Sequence, residues 1–212
     1  MKESLNIQET KDMFLMIAEK IMEAEDKLTE IDNIIGDGDH GIGMRIGFQA
    51  VKEKLPQTDC SSINEVFKEA GLILLEAMGG ASGVIFGTMF TSGAINAARA
   101  DTLSVAVLAD IFSQSLEKIK TRGGARVGDK TMVDSFEPAV LSLLKSAQED
   151  KNLTEAMEAA YEKAIEGVEE SKKIRANRGR AQAYAEASVG LPDPGAVSVS
   201  VIFEAMRLYM EA

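Results

Sequence analysis

The chain has 212 residues, with 23 Lys plus Arg against 34 Asp plus Glu, for a formal charge of −11. So acidic a chain lacks the basic clusters that give phosphate-backbone affinity, which argues against a nucleic-acid binder. At 45% hydrophobic and 27% charged residues it has the composition of a folded domain with a sizeable core, and its one cysteine, Cys60, permits no intramolecular disulfide and points to a reducing, cytoplasmic setting. No run of 18 or more apolar residues occurs, so neither a signal peptide nor a membrane span is expected.

Ala, Leu, Met, Glu and Lys dominate while aromatic residues make up only 5%, which is the usage of helices. From Asn6, with Glu9 spaced as a capping box, Met13, Phe14, Ile17 and Ile21 recur at three and four and predict a helix to about residue 28. A second is expected over 44–55, closed by Pro56, and a third over 62–78, where Ser62 and Glu65 again have capping-box spacing. Residues 82–99 are apolar on most sides, with Phe86, Met89 and Phe90, and predict a central helix. Segments 104–121, 131–148, 154–175 and 195–210 complete the set, with Pro138 expected to kink the sixth helix or mark its first turn. Gly47, Gly71, Gly93 and Gly167 inside these helices suggest close helix contacts. The fold class that follows is all-α, one domain over 1–212, a bundle or barrel of eight up-and-down antiparallel helices. Three longer loops, 28–43, 121–130 and 176–194, are where function is expected.

The first loop crowds Asp32, Asp37 and Asp39 among Gly36, Gly38 and Gly41. Like charges this close raise one another's pKa unless a cation or strong donors offset them, although an acidic turn exposed to solvent has the same composition. An EF-hand begun at Asp37 would need Gly and Glu where Ile42 and Phe48 stand, which excludes that calcium motif. His40 is the only histidine and Cys60 is distant in sequence, so a structural zinc site is also disfavoured. Magnesium remains, and because it is commonly held by one or two carboxylates plus phosphate oxygens, the ligand is expected to bring phosphates. Gly79-Gly80-Ala81-Ser82-Gly83 stands directly before the most apolar helix and reads as an anion seat, or as a tight turn with Ser82 as N-cap. Gly123 to Thr131 resembles a P-loop, but Asp129 interrupts Gly-Lys-Thr and a helix precedes it, so that reading is rejected. Thr131 is expected to cap the next helix. Arg178 and Arg180, followed by Asp193-Pro194-Gly195, add positive charge and a rigid helix start. His40 next to the carboxylates is read as a donor to phosphate or as an organiser of the Asp loop, with a phosphoryl-carrying histidine left open.

Four blocks in order, Ile35 to Gly41, Gly79 to Gly83, Gly128-Asp129-Lys130-Thr131-Met132-Val133-Asp134, and Arg178 to Ala181 with Asp193-Pro194-Gly195, resemble the L subunit of dihydroxyacetone kinase. The resemblance covers essentially the whole chain. It implies an eight-helix barrel with the nucleotide at one end, and Asp32, Asp37 and Asp39 holding two Mg²⁺ ions against the phosphates of ADP or ATP. His40, Gly41, Ile42, Gly43, Gly80, Ala81 and Ser82 would line the phosphates, with Gly124, Met132, Arg180, Asp193, Pro194 and Gly195 completing the site. It further implies catalysis through the metals and Arg180. The partners implied are a K subunit carrying dihydroxyacetone or a related short ketose, and a phosphotransferase-system phosphoryl donor. Pairing as a homodimer stays open, as do direct use of exchanging ATP and a regulatory or scaffold role. The chain departs from the family pattern at Ile42-Gly43, at Val84-Ile85-Phe86, at Ala187 and at Leu191-Pro192.

Overall fold

The computed structural model describes residues 2–212 and is all-helical apart from loops and one isolated bridge between Leu5 and Leu103. The helices are α1 (Ile7–Glu23), α2 (Glu25–Ile35), α3 (His40–Lys54), α4 (Ile63–Ala77), α5 (Gly80–Asn96), α6 (Val105–Gly123), α7 (Val133–Gln148), α8 (Leu153–Lys173) and α9 (Pro194–Glu211). Eight of them close a ring, because α3 through α9 each pack on the next and α1 packs on both α9 and α3. The expected eight-helix barrel is therefore present, and α2 is a ninth helix outside the ring, lying on α3 and α9.

The expected single helix over 6–28 breaks at Ala24, and the expected loop 28–43 contracts to the turn between Ile35 and His40. The buried stripe of α2 is Leu28, Asp32 and Ile35. A carboxylate occupies the middle of that helical stripe, so the apolar period does not register. Other starts also move: α3 begins at His40, α5 at Gly80, and α9 at Pro194 in the first-turn position suited to proline. Asn6 and Glu9 form the full capping box, whereas Ser62 caps Glu65 while the Glu65 carboxylate accepts from Ser61 instead.

The interior is one apolar cluster drawn from every ring helix. All eight phenylalanines are buried, and Phe14, Phe67, Phe90, Phe112, Phe136 and Phe203 meet largely edge-to-face with centroids 5.0–6.4 Å apart. The four helical glycines do mark close contacts: a Cβ on Gly93 would lie 1.7 Å from the Ile111 carbonyl oxygen, and those on Gly47 and Gly71 would strike Met78 and Gly87. Pro138 lies well inside α7, where it leaves the Asp134 carbonyl without its usual helical donor. Gly167 of α8 packs there, with 2.0 Å between that oxygen and the position of an added Cβ.

Candidate functional site

The start of α3 and the loops α4–α5, α6–α7 and α8–α9 meet around a cleft of about 640 Å³. At its edge Asp32, held by α2, is buried, while Asp37 and Asp39 are exposed on the tight turn. Gly38 has φ +76°, a conformation that favours glycine. One oxygen from each carboxylate lies within 4.8 Å of the others. That is close to the ~4.2 Å separating opposite ligands of one Mg²⁺, and an all-oxygen donor set is the chemistry that ion takes. Arg180 ion-pairs with Asp37 and stands 3.8 Å from Asp39, supplying positive charge to the exposed pair. The residues present therefore fit a hard divalent cation.

His40 opens α3 and joins the acidic turn to the cleft. Its backbone N–H donates to Asp32 at 3.1 Å, Nε2 lies 2.8 Å from Ser198 Oγ, and Nδ1 lies 3.3 Å from Ser82 Oγ. Burial pushes the imidazole pKa below the ordinary histidine value, against smaller opposing pulls from the Asp32 charge and a hydrogen bond to the Pro194 carbonyl. Gly79, not Ser82, is the N-cap of α5; Gly80 takes φ +68°, and Gly79, Gly80 and Ala81 are exposed. The helix start thus presents free N–H groups and its positive dipole end at the cleft, with the Ser82 hydroxyl left for His40.

The second loop is organised around two buried charges. Asp134 accepts from Gly128 N at 2.6 Å and Thr131 N at 2.7 Å while the Thr131 hydroxyl accepts from Val133 N at 3.2 Å, so Thr131 contributes to the cap from one position before Met132, the N-cap of α7. Lys130, 1% exposed and at φ +60°, donates to the carbonyls of Ser171, Ile174 and Leu191. The rejected P-loop lysine is thus a tie between the end of α8 and the third loop. Asp193 caps α9, accepting from Ala196 N at 2.8 Å, and burial raises its pKa to about 7. Desolvation likewise raises Asp134 and lowers Lys130.

Of the expected residues, His40, Ala81, Ser82, Met132, Asp193, Pro194 and Gly195 line the cleft, and Asp37 and Arg180 line the adjoining shallow hollow. Others stand back. Gly41 packs against Glu25 and Thr29 of α2, Ile42 is exposed, Gly43 has open space around it, and Gly80 lies at the rim. Gly124 is the left-handed C-cap of α6, and its carbonyl accepts from Arg178 at 2.8 Å. Residues that the sequence did not single out for the site also line the cleft: Ile85 and Thr88 of α5, Ile119 and Arg122 of α6, and Gln182. They sit on different elements and converge only through packing; the apolar pair Ile85 and Ile119 gives the inner part of the cleft an unpolar wall.

Fold and site together define a helical barrel with an acidic, cation-suited turn and an open helix N-terminus at one end. The chain belongs to the DAK2 domain family, whose model matches residues 34–208. It is 38% identical over 181 residues to the ADP-binding subunit DhaL of the PEP-dependent dihydroxyacetone kinase of Escherichia coli (strain K12), covering 85% of this chain and 86% of that protein. It is 36% identical over 188 residues to the ADP-binding subunit DhaL of PEP-dependent dihydroxyacetone kinase 1 of Listeria innocua, covering 89% of each. Its fold matches the crystal structure of the dihydroxyacetone kinase of C. freundii with TM-score 0.75 at 25% identity over 98% of this chain, which spans 35% of that longer one. The same kinase has been solved in complex with AMP-PNP and Mg²⁺, where the likeness, TM-score 0.74 at 23% identity, carries the fold.

Proposed function

We propose that this chain is the nucleotide-holding subunit of a multi-subunit dihydroxyacetone kinase, retaining Mg-ADP as a rechargeable carrier. The observation that supports this best is the junction of the Asp32, Asp37 and Asp39 cluster with the cleft through His40. The two relatives described above, both of matching length, are named ADP-binding subunits of PEP-dependent kinases.

In this reading Asp32, Asp37 and Asp39 hold two Mg²⁺ ions, which when bound neutralise developing phosphoryl charge. The open N–H groups of Gly80, Ala81 and Ser82 take phosphate oxygens, and the α5 dipole favours them there. Arg180, the exposed cation at the rim, would be free to pair with transferring phosphoryl charge with Asp37 and Asp39 engaged by metal. Ile85, Ile119 and Met132 offer the apolar wall for a base, and the Asp193 cap keeps α9 in place beside them. No protein nucleophile is required, since such transfer relies on positioning and electrostatic stabilisation.

The acceptor, dihydroxyacetone or a related short ketose, arrives on a separate K subunit, and a phosphotransferase-system protein recharges the ADP. Ile34, Ile42, Val84, Val127, Tyr184 and Val189 are exposed apolar side chains on the elements around the cleft, a rim that suits protein docking over the charged centre. The test is to purify the protein without added nucleotide, denature it and quantify released adenine nucleotide and magnesium. Near-stoichiometric ADP with about two magnesium ions per chain supports a retained carrier. Absent nucleotide together with no calorimetric binding of Mg-ATP overturns the reading.

A further inference from the structure

Ser198 lies on α9, fully buried, behind the cleft wall. Its Oγ donates to the Pro194 carbonyl at 3.1 Å and stands 2.8 Å from His40 Nε2. A hydroxyl has one proton and a carbonyl can only accept, so the proton given to Pro194 leaves Ser198 facing the ring with a lone pair, and the same Pro194 carbonyl also accepts from the His40 ring. Nε2 must then carry the imidazole hydrogen. Nδ1 keeps its lone pair and faces Ser82 Oγ at 3.3 Å, and the only hydrogen available for that contact is the Ser82 hydroxyl proton.

We infer that Ser198 is a positioning residue that fixes His40 as the Nε2–H tautomer, and through Nδ1 turns the Ser82 hydroxyl so that oxygen lone pairs face the cleft. Three helices are thereby linked in one directed chain, from the Pro194 carbonyl of α9 through His40 of α3 to Ser82 of α5. The tautomer stands on these contacts alone. Its consequence for ligands rests on the nucleotide reading above: Ser82 Oγ serves as an acceptor toward a metal-bound water or other donor, and phosphate oxygens are left to the backbone N–H groups of the α5 start.

His40 is the only histidine in the chain, so long-range ¹H–¹⁵N correlation spectra report this one ring. At pH 8 a free imidazole is neutral. The wild-type protein is expected to show one tautomer, with Nε2 as the protonated and Nδ1 as the bare nitrogen; an Nδ1–H pattern overturns the inference without any variant. Ser198→Ala is expected to give a mixed pattern and to weaken Mg-ADP binding several-fold in calorimetry, with helical circular dichroism retained. A ring that stays purely Nε2–H in Ser198→Ala removes Ser198 from the role. Ser82→Ala is expected to leave the tautomer unchanged, and a switch there would make Ser82 the controlling group instead. Should the wild type bind no nucleotide, the proposed function fails while the ring spectrum still decides the tautomer.

Discussion

Around Phe90 and Phe112 the barrel is filled by aromatic and aliphatic side chains in edge-to-face contact. At the mouth, the buried groups are His40, Asp32, Lys130, Asp134, Asp193 and Ser198, each held by directed hydrogen bonds. Phe86 stands between the two, its ring centroid 6.1 Å from that of His40. The apolar half gains free energy from area removed from water and is indifferent to orientation beyond packing. The polar half gains little net from its bonds, and its burial is tolerable only while every donor and acceptor is matched. Stability is therefore concentrated in one end and geometric specification in the other, so substitutions at the two ends should separate ligand binding from folding.

The largest effect is expected from Asp37→Ala, which should abolish metal-dependent nucleotide binding while leaving helix content intact; unchanged affinity in titration calorimetry would sink the metal assignment. Its counterpart at the apolar end is Phe112→Ala, which removes a ring contacting Phe67, Phe90, Phe136 and Phe203. A cavity of that kind costs about 3–5 kcal/mol in denaturant unfolding, while Mg-ADP affinity of the folded fraction should hold. Lys130→Met tests whether the polar end also carries stability. Three carbonyls lose their donor and the two nearby carboxyls lose their counter-charge, for a cost of about 3 kcal/mol. A loss under about 1 kcal/mol would show that water replaces the ammonium freely.

Asp193 sharpens the comparison through pH. Its carboxyl is raised to about 7 when folded, against an ordinary carboxylate value when unfolded. The folded state thus binds the proton more tightly. The stability this contributes is present below the unfolded pKa and is lost as pH rises through about 7. Asparagine caps a helix as well as aspartate. Asp193→Asn should therefore gain in melting temperature relative to wild type between about pH 4 and 7 and show a constant difference above it; a difference that does not change with pH would place the carboxyl in water. The smallest effect is expected at an exposed pair such as Lys163 and Glu166, where Lys163→Ala should move unfolding by less than about 0.5 kcal/mol.

Much of the barrel could be read from the chain because its helices carry regular apolar periods, Asn and Ser caps, and glycines at the crossings. The Asp turn stood out for a different reason: three carboxylates within eight positions raise one another's pKa unless a cation, strong donors or solvent offset them. The second short helix escaped because Asp32 occupies the middle of its buried stripe, so a residue proposed for the site also hides the element that carries it. Lys130 was misleading in sequence because a glycine-rich run before a lysine suggests phosphate binding. Its direction is set by a left-handed backbone and by three carbonyls on segments 41 to 61 positions away.

By itself the sequence determined that the chain is helical and acidic and that helices pack closely at Gly93 and Gly167, and it raised the proposal of phosphate chemistry at the glycine- and aspartate-rich loops. Those properties depend on residues near one another in the chain. Only the tertiary structure decided which cleft residues face one another, that Arg180 meets Asp37, and that Ser198 stands behind His40 across 158 positions. Such contacts carry no local signal, because they are fixed by how eight helices close into a ring and not by the order of residues within any one of them.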